Sequence, residues 1–163
     1  MLSKKIENAL NEQIKYEYFS SYLYLAMSAY CDSQNFQGFA NWMRTQSTEE
    51  MTHALKLYDF VLNRDGNIKL KSIPEPPQKY TSIEKIFKQV YEHEIHVTGL
   101  INKLYELAIK ENDHATAVEL QWFIQEQVEE ERSSKDIWEK LKLAGSNSSA
   151  LLILDRELSE RQV

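Results

Sequence analysis

Apolar residues recur every three or four positions through four long stretches of the chain, which is the period of an α-helix. The pattern predicts helices over about residues 3–32, 35–64, 81–112 and 114–145. Ser3 is the kind of residue that caps a helix N-terminus, and Gly145 is the kind that ends a helix. At 1.5 Å per residue each helix would be about 40–45 Å long, a length typical of helix bundles.

The links between these predicted helices differ in length. The first and third links are very short, so each joins two helices into an antiparallel hairpin. The link over residues 65–80 is long, contains Pro74, Pro76 and Pro77, and can cross the full length of a bundle in extended form. After Gly145, a short amphipathic stretch predicts one more helix, which must dock on the bundle or on another subunit.

We therefore expect an all-α protein, a four-helix bundle with a long crossover between helices 2 and 3 and a short fifth C-terminal helix. Residues 1–163 would form a single domain, with the bundle over 3–144 and the fifth helix over about 147–159.

One glutamate interrupts the apolar stripe of each long helix. These residues are Glu17, Glu50, Glu94 and Glu130. All four lie near the middle of their helices, so an up-and-down bundle would bring them to one level of its core. Burying one unpaired carboxylate costs several kcal/mol. A single glutamate on an apolar stripe is usually a boundary residue that reaches solvent, but four at one level predict a pair of metal ions between them.

His53 follows Glu50 by three residues, which places both side chains on one face of the helix. A Glu-x-x-His pair presents a carboxylate and an imidazole to one ion in helical bundles. Carboxylates with a single imidazole suit iron, manganese or zinc, and no cysteine lies near enough in sequence to favour a softer metal.

Other conspicuous side chains have simpler interpretations. The histidines outside the stripe are predicted to be ordinary surface or interface residues: His93, His96 and His114. The tryptophans are predicted to pack in the core or between subunits: Trp42, Trp122 and Trp138.

A second acidic group lies one position away from the stripe. It consists of Glu49, Glu126 and Glu129. Taken alone, a run of acids such as Glu129-Glu130-Glu131 usually forms a solvated face. Beside a metal centre they could instead hold a further cation or form an exit path, and spacing alone leaves both interpretations open.

Composition narrows the classes of function. The net charge of −6, with no basic cluster, argues against nucleic-acid and anionic-membrane binding. No apolar run approaches the ~20 residues of a membrane span, and the N-terminal stretch has no apolar signal-peptide core. The single cysteine, Cys31, fits a reducing compartment, so we expect a cytoplasmic protein.

Several of these motifs together resemble the non-haem ferritins of bacteria. The motifs are Glu17, Glu49-Glu50-Met51-Thr52-His53, Glu94 and Gln127-Val128-Glu129-Glu130. The stretches over residues 26–31 and 142–145 are also similar. The resemblance covers essentially the whole chain, including the proline-containing crossover and the short fifth helix, and it implies a ferritin-like fold with a di-iron ferroxidase centre.

The resemblance implies a role for each ligand. Glu17, Glu50 and His53 would hold the first iron. Glu94 and Glu130 would hold the second iron, with Glu50 bridging the two.

It also implies roles for residues around the irons. Gln127 would form a hydrogen bond near the oxygen-binding position, and Tyr24 matches the tyrosine beside the di-iron centre of the family. Glu49, Glu126 and Glu129 match a third iron site.

Neighbouring families match less well. Bacterioferritins and rubrerythrin-like proteins carry a second Glu-x-x-His on the fourth helix, where this chain has Gln127 to Glu130 without a histidine. Met51 coincides with the methionine that binds haem in bacterioferritins, but we interpret it as a packing residue and expect no haem. The miniature ferritins of starved bacteria build their iron site between subunits and lack the fifth helix.

The implied function is oxidation of Fe(II) by dioxygen or peroxide, with storage of the Fe(III) product as a mineral inside a shell of roughly 24 subunits. Two other classes of protein remain as alternatives. One is a di-iron enzyme that acts on peroxide or an organic substrate without storing iron. The other is a metal-free bundle that binds another protein.

Overall fold

The computed structural model describes residues 2–160. Its helices are α1 (Lys4–Ser33), α2 (Gln37–Asn63), α3 (Ile83–Lys110), α4 (His114–Ala144) and α5 (Ser148–Ser159). The predicted all-α bundle, with a long link between its second and third helices and a short fifth helix, is confirmed. Over this described range, none of the helices is both long and apolar enough to cross a bilayer.

Side-chain caps and left-handed residues determine where the helices begin and end. The hydroxyls of Ser3 and Ser82 each accept a hydrogen bond, at 3.2 Å, from a backbone N–H three residues later. Asp65 and Gly145, both with φ of 53°, follow the ends of α2 and α4. Asn35 was predicted to start the second helix, but its φ of 63° makes it part of the turn, so α2 begins two residues later.

The packing of the helices shows their directions. The N-terminal half of α1 packs with the C-terminal halves of α2 and α3 and with the N-terminal half of α4. Hence α2 ends at the opposite end of the bundle from the start of α3, and residues 64–82 have to run along its length. They lie against α1, where Lys69 N donates to Asn11 Oδ1 at 2.6 Å and Asn11 Nδ2 donates to Asn67 O at 3.0 Å.

The core of the bundle consists of two separate hydrophobic clusters. In α3, Val90 belongs to one cluster and Val97 to the other, and Glu94 lies between them. The same interruption occurs in the other three long helices, at Glu17, Glu50 and Glu130. The acidic layer therefore divides the core at mid-height.

The fifth helix packs against α2 and α4 of its own bundle. Phe36, the residue before α2, forms no side-chain capping bond, and Asp155 Oδ1 instead accepts from the Phe39 N–H at 2.9 Å. Gly38 permits this close approach, because a Cβ atom there would lie 1.6 Å from the backbone oxygen of Asp155. Apolar residues of α5 cover the cluster that contains the buried Cys31. The carboxylate of α5 thus replaces the missing cap of α2.

Candidate metal centre

The four glutamates on the apolar stripes are buried. Glu17, Glu50 and Glu94 are each 1% exposed, and Glu130 is 7% exposed. Each lies near the middle of its helix, at the level that separates the two hydrophobic clusters. Because an uncompensated buried carboxylate costs several kcal/mol, this layer requires protons or cations.

Glu17, Glu50 and His53 form a close group of candidate ligands. Each offers one ligand atom, and the three atoms lie within 4.8 Å of one another. His53 Nδ1 is 3.4 Å from Glu50 Oε2. That oxygen is buried and has no hydrogen-bond partner among residues 2–160. A buried carboxylate oxygen without a donor, beside a second carboxylate and an imidazole, is an arrangement that a cation would satisfy.

Glu94 and Glu130 lie outside this close group and have donors of their own. The Tyr24 hydroxyl donates to Glu94 Oε1, and Gln127 Nε2 donates to Glu94 Oε2 at 3.1 Å. Gln46 Nε2 donates to Glu130 Oε2 at 2.7 Å. These neutral donors orient the two carboxylates without cancelling their charge.

Sequence reasoning missed two glutamines as site residues. Gln46 holds Glu130 from across the bundle, and Gln13 Nε2 donates to Glu17 Oε1 at 2.7 Å. Each precedes a stripe glutamate by one helical turn, four residues before Glu17 and Glu50. That spacing is a usable signal that a glutamine faces the site, although it does not say which carboxylate the amide contacts.

Burial raises the pKa of three of these carboxyl groups. It is the main cause at Glu17, Glu50 and Glu94, and the pKa of Glu94 reaches about 7. At Glu50 the negative charges of Glu94, Glu17 and Glu130 act in the same direction. Burial and the charge of Glu94 also raise the pKa of Tyr24, so the phenol keeps its proton and is the donor in its bond to Glu94.

The stability of the metal-free protein should therefore fall as the pH rises. In the unfolded chain Glu94 titrates at its ordinary pKa of 4.5, whereas in the folded protein its pKa is about 7. Between these values the folded protein binds more protons, so the stabilisation present below pH 4.5 is lost as the pH rises through 7. We expect the thermal midpoint measured with a chelator present to decrease from about pH 5 to about pH 8.

The control for this prediction is Glu94→Gln, which removes one of the responsible carboxyl groups and should flatten the decrease. A midpoint of the parent protein that increases steadily with pH over this range would contradict the raised pKa values.

Aromatic side chains surround the imidazole. The His53 ring meets Trp122 and Phe123 edge to face, with ring centroids 5.3 Å and 6.0 Å apart. These contacts fix the ring in the orientation that brings Nδ1 to Glu50. The other two tryptophans also pack within the bundle: Trp42 is buried and Trp138 stacks on α3.

The second acidic group borders a cleft beside the centre. The cleft has a volume of about 460 Å³. Its lining comprises Trp42, Glu49, Thr52, His53, Trp122, Glu126, Glu129, Glu130 and Ser133. Glu129 is exposed, and Glu49 and Glu126 are half-buried. Because His53 and Glu130 also line the cleft, it connects the buried layer with the second acidic group.

His93, predicted as an ordinary surface or interface histidine, lies inside the bundle at the contact of two helices. It is half-buried where α3 faces α1, and its Nε2 forms a 2.7 Å hydrogen bond with Ser20 Oγ. Its ring packs edge to face against Tyr24 with centroids 5.8 Å apart. Burial lowers the pKa of His93 to about 4, so this ring is neutral. His96 and His114 are exposed, as predicted.

The set of donor atoms suits divalent ions of hard or intermediate character. Carboxylate oxygens with one imidazole match iron or manganese better than soft metals. The thiol of Cys31 lies in a hydrophobic cluster away from the acidic layer. Binding should displace protons from the carboxyl groups, and metal affinity should therefore increase with pH.

Comparison with known proteins gives consistent results. A family model described as a ferritin-like domain matches residues 7–144. A bacterial non-heme ferritin of Bacteroides fragilis is 42% identical over 161 residues, covering 99% of this chain and 100% of the relative. A bacterial non-heme ferritin of Escherichia coli O6:H1 is 38% identical over 159 residues, covering 98% of this chain and 96% of the relative.

Solved structures agree with these relatives. The crystal structure of an open pore ferritin from the hyperthermophilic archaeon Archaeoglobus fulgidus has a TM-score of 0.98 and 52% sequence identity. The match covers 99% of this chain and 98% of that chain. A full-length likeness in sequence and in fold, together with a buried layer of four glutamates and a histidine, identifies this chain as a member of the ferritin family.

Proposed function

We propose that this protein stores iron and is a ferroxidase, which oxidises Fe(II) at a di-iron centre within each subunit. Membership of the ferritin family supports iron storage. The observation that carries the assignment of the centre is the buried Glu50 oxygen, which has no hydrogen bond among the described residues and lies next to Glu17 and His53. A positive ion at this point would compensate that oxygen and its two neighbours together.

The proposed ligands divide into two sets. Glu17, Glu50 and His53 would hold the first Fe(II), since their ligand atoms already lie close together. Glu94 and Glu130 would hold the second, with Glu50 bridging the two ions. Their present hydrogen bonds to neutral donors keep both carboxylates in place within the core without a cation.

Two adjacent ions explain the chemistry of the proposed reaction. Each Fe(II) gives up one electron to become Fe(III), and one dioxygen or peroxide molecule accepts the pair. Reduction of dioxygen to hydrogen peroxide consumes two protons, whereas reduction of hydrogen peroxide consumes two protons and yields two waters. Hard Fe(III) ions are then well matched by the oxygen-rich ligand set.

Around the two irons, Tyr24 and Gln127 orient Glu94 through hydrogen bonds to its two oxygens. The resemblance to the non-haem ferritins implies that Gln127 also forms a hydrogen bond near the oxygen-binding position.

Glu49, Glu126 and Glu129 form the proposed third iron site. All three line the cleft that also reaches His53 and Glu130, which supports a path for iron between the centre and the outside of the bundle. Their partial exposure suits a transit site better than a permanent one, because exposed carboxylates bind cations less tightly than buried ones.

The product would be kept as a ferric mineral inside a closed shell of about 24 subunits. The ferritin family supports this form of storage. We further propose that the whole chain is a single ferritin-like domain, that it functions in the cytoplasm and that it carries no haem; the free, buried Cys31 fits a reducing compartment.

Aerobic addition of Fe(II) to the purified protein tests the function. We expect rapid formation of ferric absorbance, an initial uptake of two Fe(II) per chain, and further iron held in a large particle measured by gel filtration. A small oligomer that oxidises iron would favour a di-iron enzyme without storage. An absence of ferric absorbance above the protein-free control would reject the proposed ferroxidase.

A further inference from the structure

A chain of hydrogen bonds extends from the buried centre to the surface between α3 and α4. Gln127 Nε2 donates to Glu94 Oε2 at 3.1 Å and to the Glu94 backbone oxygen at 3.3 Å, and the same nitrogen lies 3.4 Å from Thr98 Oγ1 as a third contact. The Thr98 hydroxyl in turn donates to Glu131 Oε1 at 2.5 Å. Gln127 is buried, whereas Thr98 and Glu131 are half-buried. These hydrogen bonds thus join Glu94, a proposed metal ligand, to Glu131, a carboxylate outside the proposed ligand set.

Glu131, the outermost member, sets the direction of every hydrogen bond in this series. An ionised carboxylate can only accept hydrogen bonds, so the Thr98 hydroxyl must use its hydrogen on Glu131. The lone pairs of Thr98 Oγ1 are then left for the amide of Gln127. An amide nitrogen has two hydrogens, and here three acceptors share them: Glu94 Oε2 at 3.1 Å, the Glu94 backbone oxygen at 3.3 Å and Thr98 Oγ1 at 3.4 Å.

The opposite orientation of the Gln127 amide is strongly disfavoured. It would place the amide oxygen against the lone pairs of Thr98, the carboxylate of Glu94 and the backbone oxygen of Glu94, so four acceptors would meet without a donor. These hydrogen bonds therefore fix the orientation of the Gln127 amide.

We propose that Thr98 and Glu131 are positioning residues of the centre, which fix the amide of Gln127 and, through it, the carboxylate of Glu94. The inference rests on the proposed function, because it concerns the geometry of a metal ligand. Neither residue belongs to the proposed ligand set: Glu131 orients Thr98, Thr98 orients Gln127, and Gln127 holds one oxygen of Glu94 while Tyr24 holds the other.

The test compares Thr98→Val with Thr98→Ser. Valine has nearly the shape of threonine but no hydroxyl, whereas serine keeps the hydroxyl. Co(II), added without oxygen, reports the ligand geometry through its visible absorption spectrum and the affinity through its titration. We expect Thr98→Val to alter the spectrum and to weaken Co(II) binding about tenfold, the usual size for a residue that orients a metal ligand. Thr98→Ser should restore both.

Matched controls lie on the exposed surface of the same bundle. Thr48 is an exposed helical threonine whose hydroxyl donates to a backbone oxygen, so Thr48→Val should leave the Co(II) spectrum and affinity unchanged. Glu139 is an exposed acid further along α4, and Glu139→Ala is the control for Glu131→Ala. Glu131→Ala should shift the spectrum in the same direction as Thr98→Val, and it carries the test if Thr98→Val does not fold.

A spectrum and affinity equal to the parent's in a folded Thr98→Val, or in Glu131→Ala if that variant is needed, would overturn the inference. A failure of the proposed function looks different, because the parent would then bind Co(II) without oxidising Fe(II), and the comparison of variants would still decide the positioning role. A parent that binds no Co(II) would overturn the metal centre and this inference together.

Discussion

Replacement of Glu50 by glutamine should abolish rapid Fe(II) oxidation and yet leave a folded metal-free protein that is more stable than the parent near pH 8. Glu50 is the proposed bridging ligand, so its loss affects both ions, and we expect the initial rate to fall by at least about tenfold. Without metal, burial and three neighbouring acids penalise the ionised form of Glu50, which its raised pKa records. A neutral amide removes that penalty, and stability and activity should move in opposite directions.

Two measurements check this result: the initial rate of ferric absorbance after Fe(II) addition in air, and the thermal midpoint with a chelator present. Glu92→Gln makes the same chemical change at an exposed position of α3 and should alter neither quantity appreciably. His53→Ala should also lose the rate, but it should lower the thermal midpoint as well, because it leaves a space between Trp122 and Phe123. If both Glu50→Gln and His53→Ala kept the parent's rate, the proposed site would be wrong.

Replacement of Gly38 by alanine should release α5 from the bundle. The added Cβ would lie 1.6 Å from the backbone oxygen of Asp155, and no side-chain rotation can relieve a contact with backbone. Either α5 or the first turn of α2 must move, and the bond from the Phe39 N–H to Asp155 is then lost. Overpacking of this kind costs about 1–3 kcal/mol, which corresponds to a roughly 5- to 150-fold increase in local opening.

The thiol of Cys31 reports this opening, because it is buried under the cluster that α5 covers. Its rate of modification by a thiol reagent under native conditions should rise by the same factor. Gly99→Ala is the matched control: a Cβ there meets nothing within 4 Å, so this helical substitution should leave the thiol protected and raise stability by up to about 1 kcal/mol. A Cys31 equally protected in Gly38→Ala would show that α5 accommodates the methyl group.

Local signals in the sequence account for most of the fold. Helix starts at Ser3 and Ser82 depend on a side chain and a backbone N–H three residues apart, so the sequence contains the whole interaction. The stripe that placed Glu17 and Glu94 in the core depends only on the helical period. The starts of α1 and α3, and the burial of the acidic layer, could therefore be predicted.

Contacts between distant parts of the chain could not be predicted from the sequence. Asp155 caps α2 from 116 residues away, and no local pattern shows that a helix lacking its own cap receives one from elsewhere. Gln46 precedes Glu50 by one helical turn, but its contact with Glu130 depends on which helices face each other and on side-chain rotamers. The half-buried position of His93 has the same origin, since it depends on how α3 faces α1.

The division of the core by the acidic layer has a consequence for how the bundle melts. Each half of the core has its own apolar contacts. Between the two halves lies the acidic layer, whose carboxyl groups carry like charge, in place of apolar side chains. In the absence of cations the long helices are the principal mechanical link between these halves. An ion bound in the acidic layer joins the two halves directly. Metal should therefore sharpen the cooperativity of unfolding as well as raise the unfolding temperature.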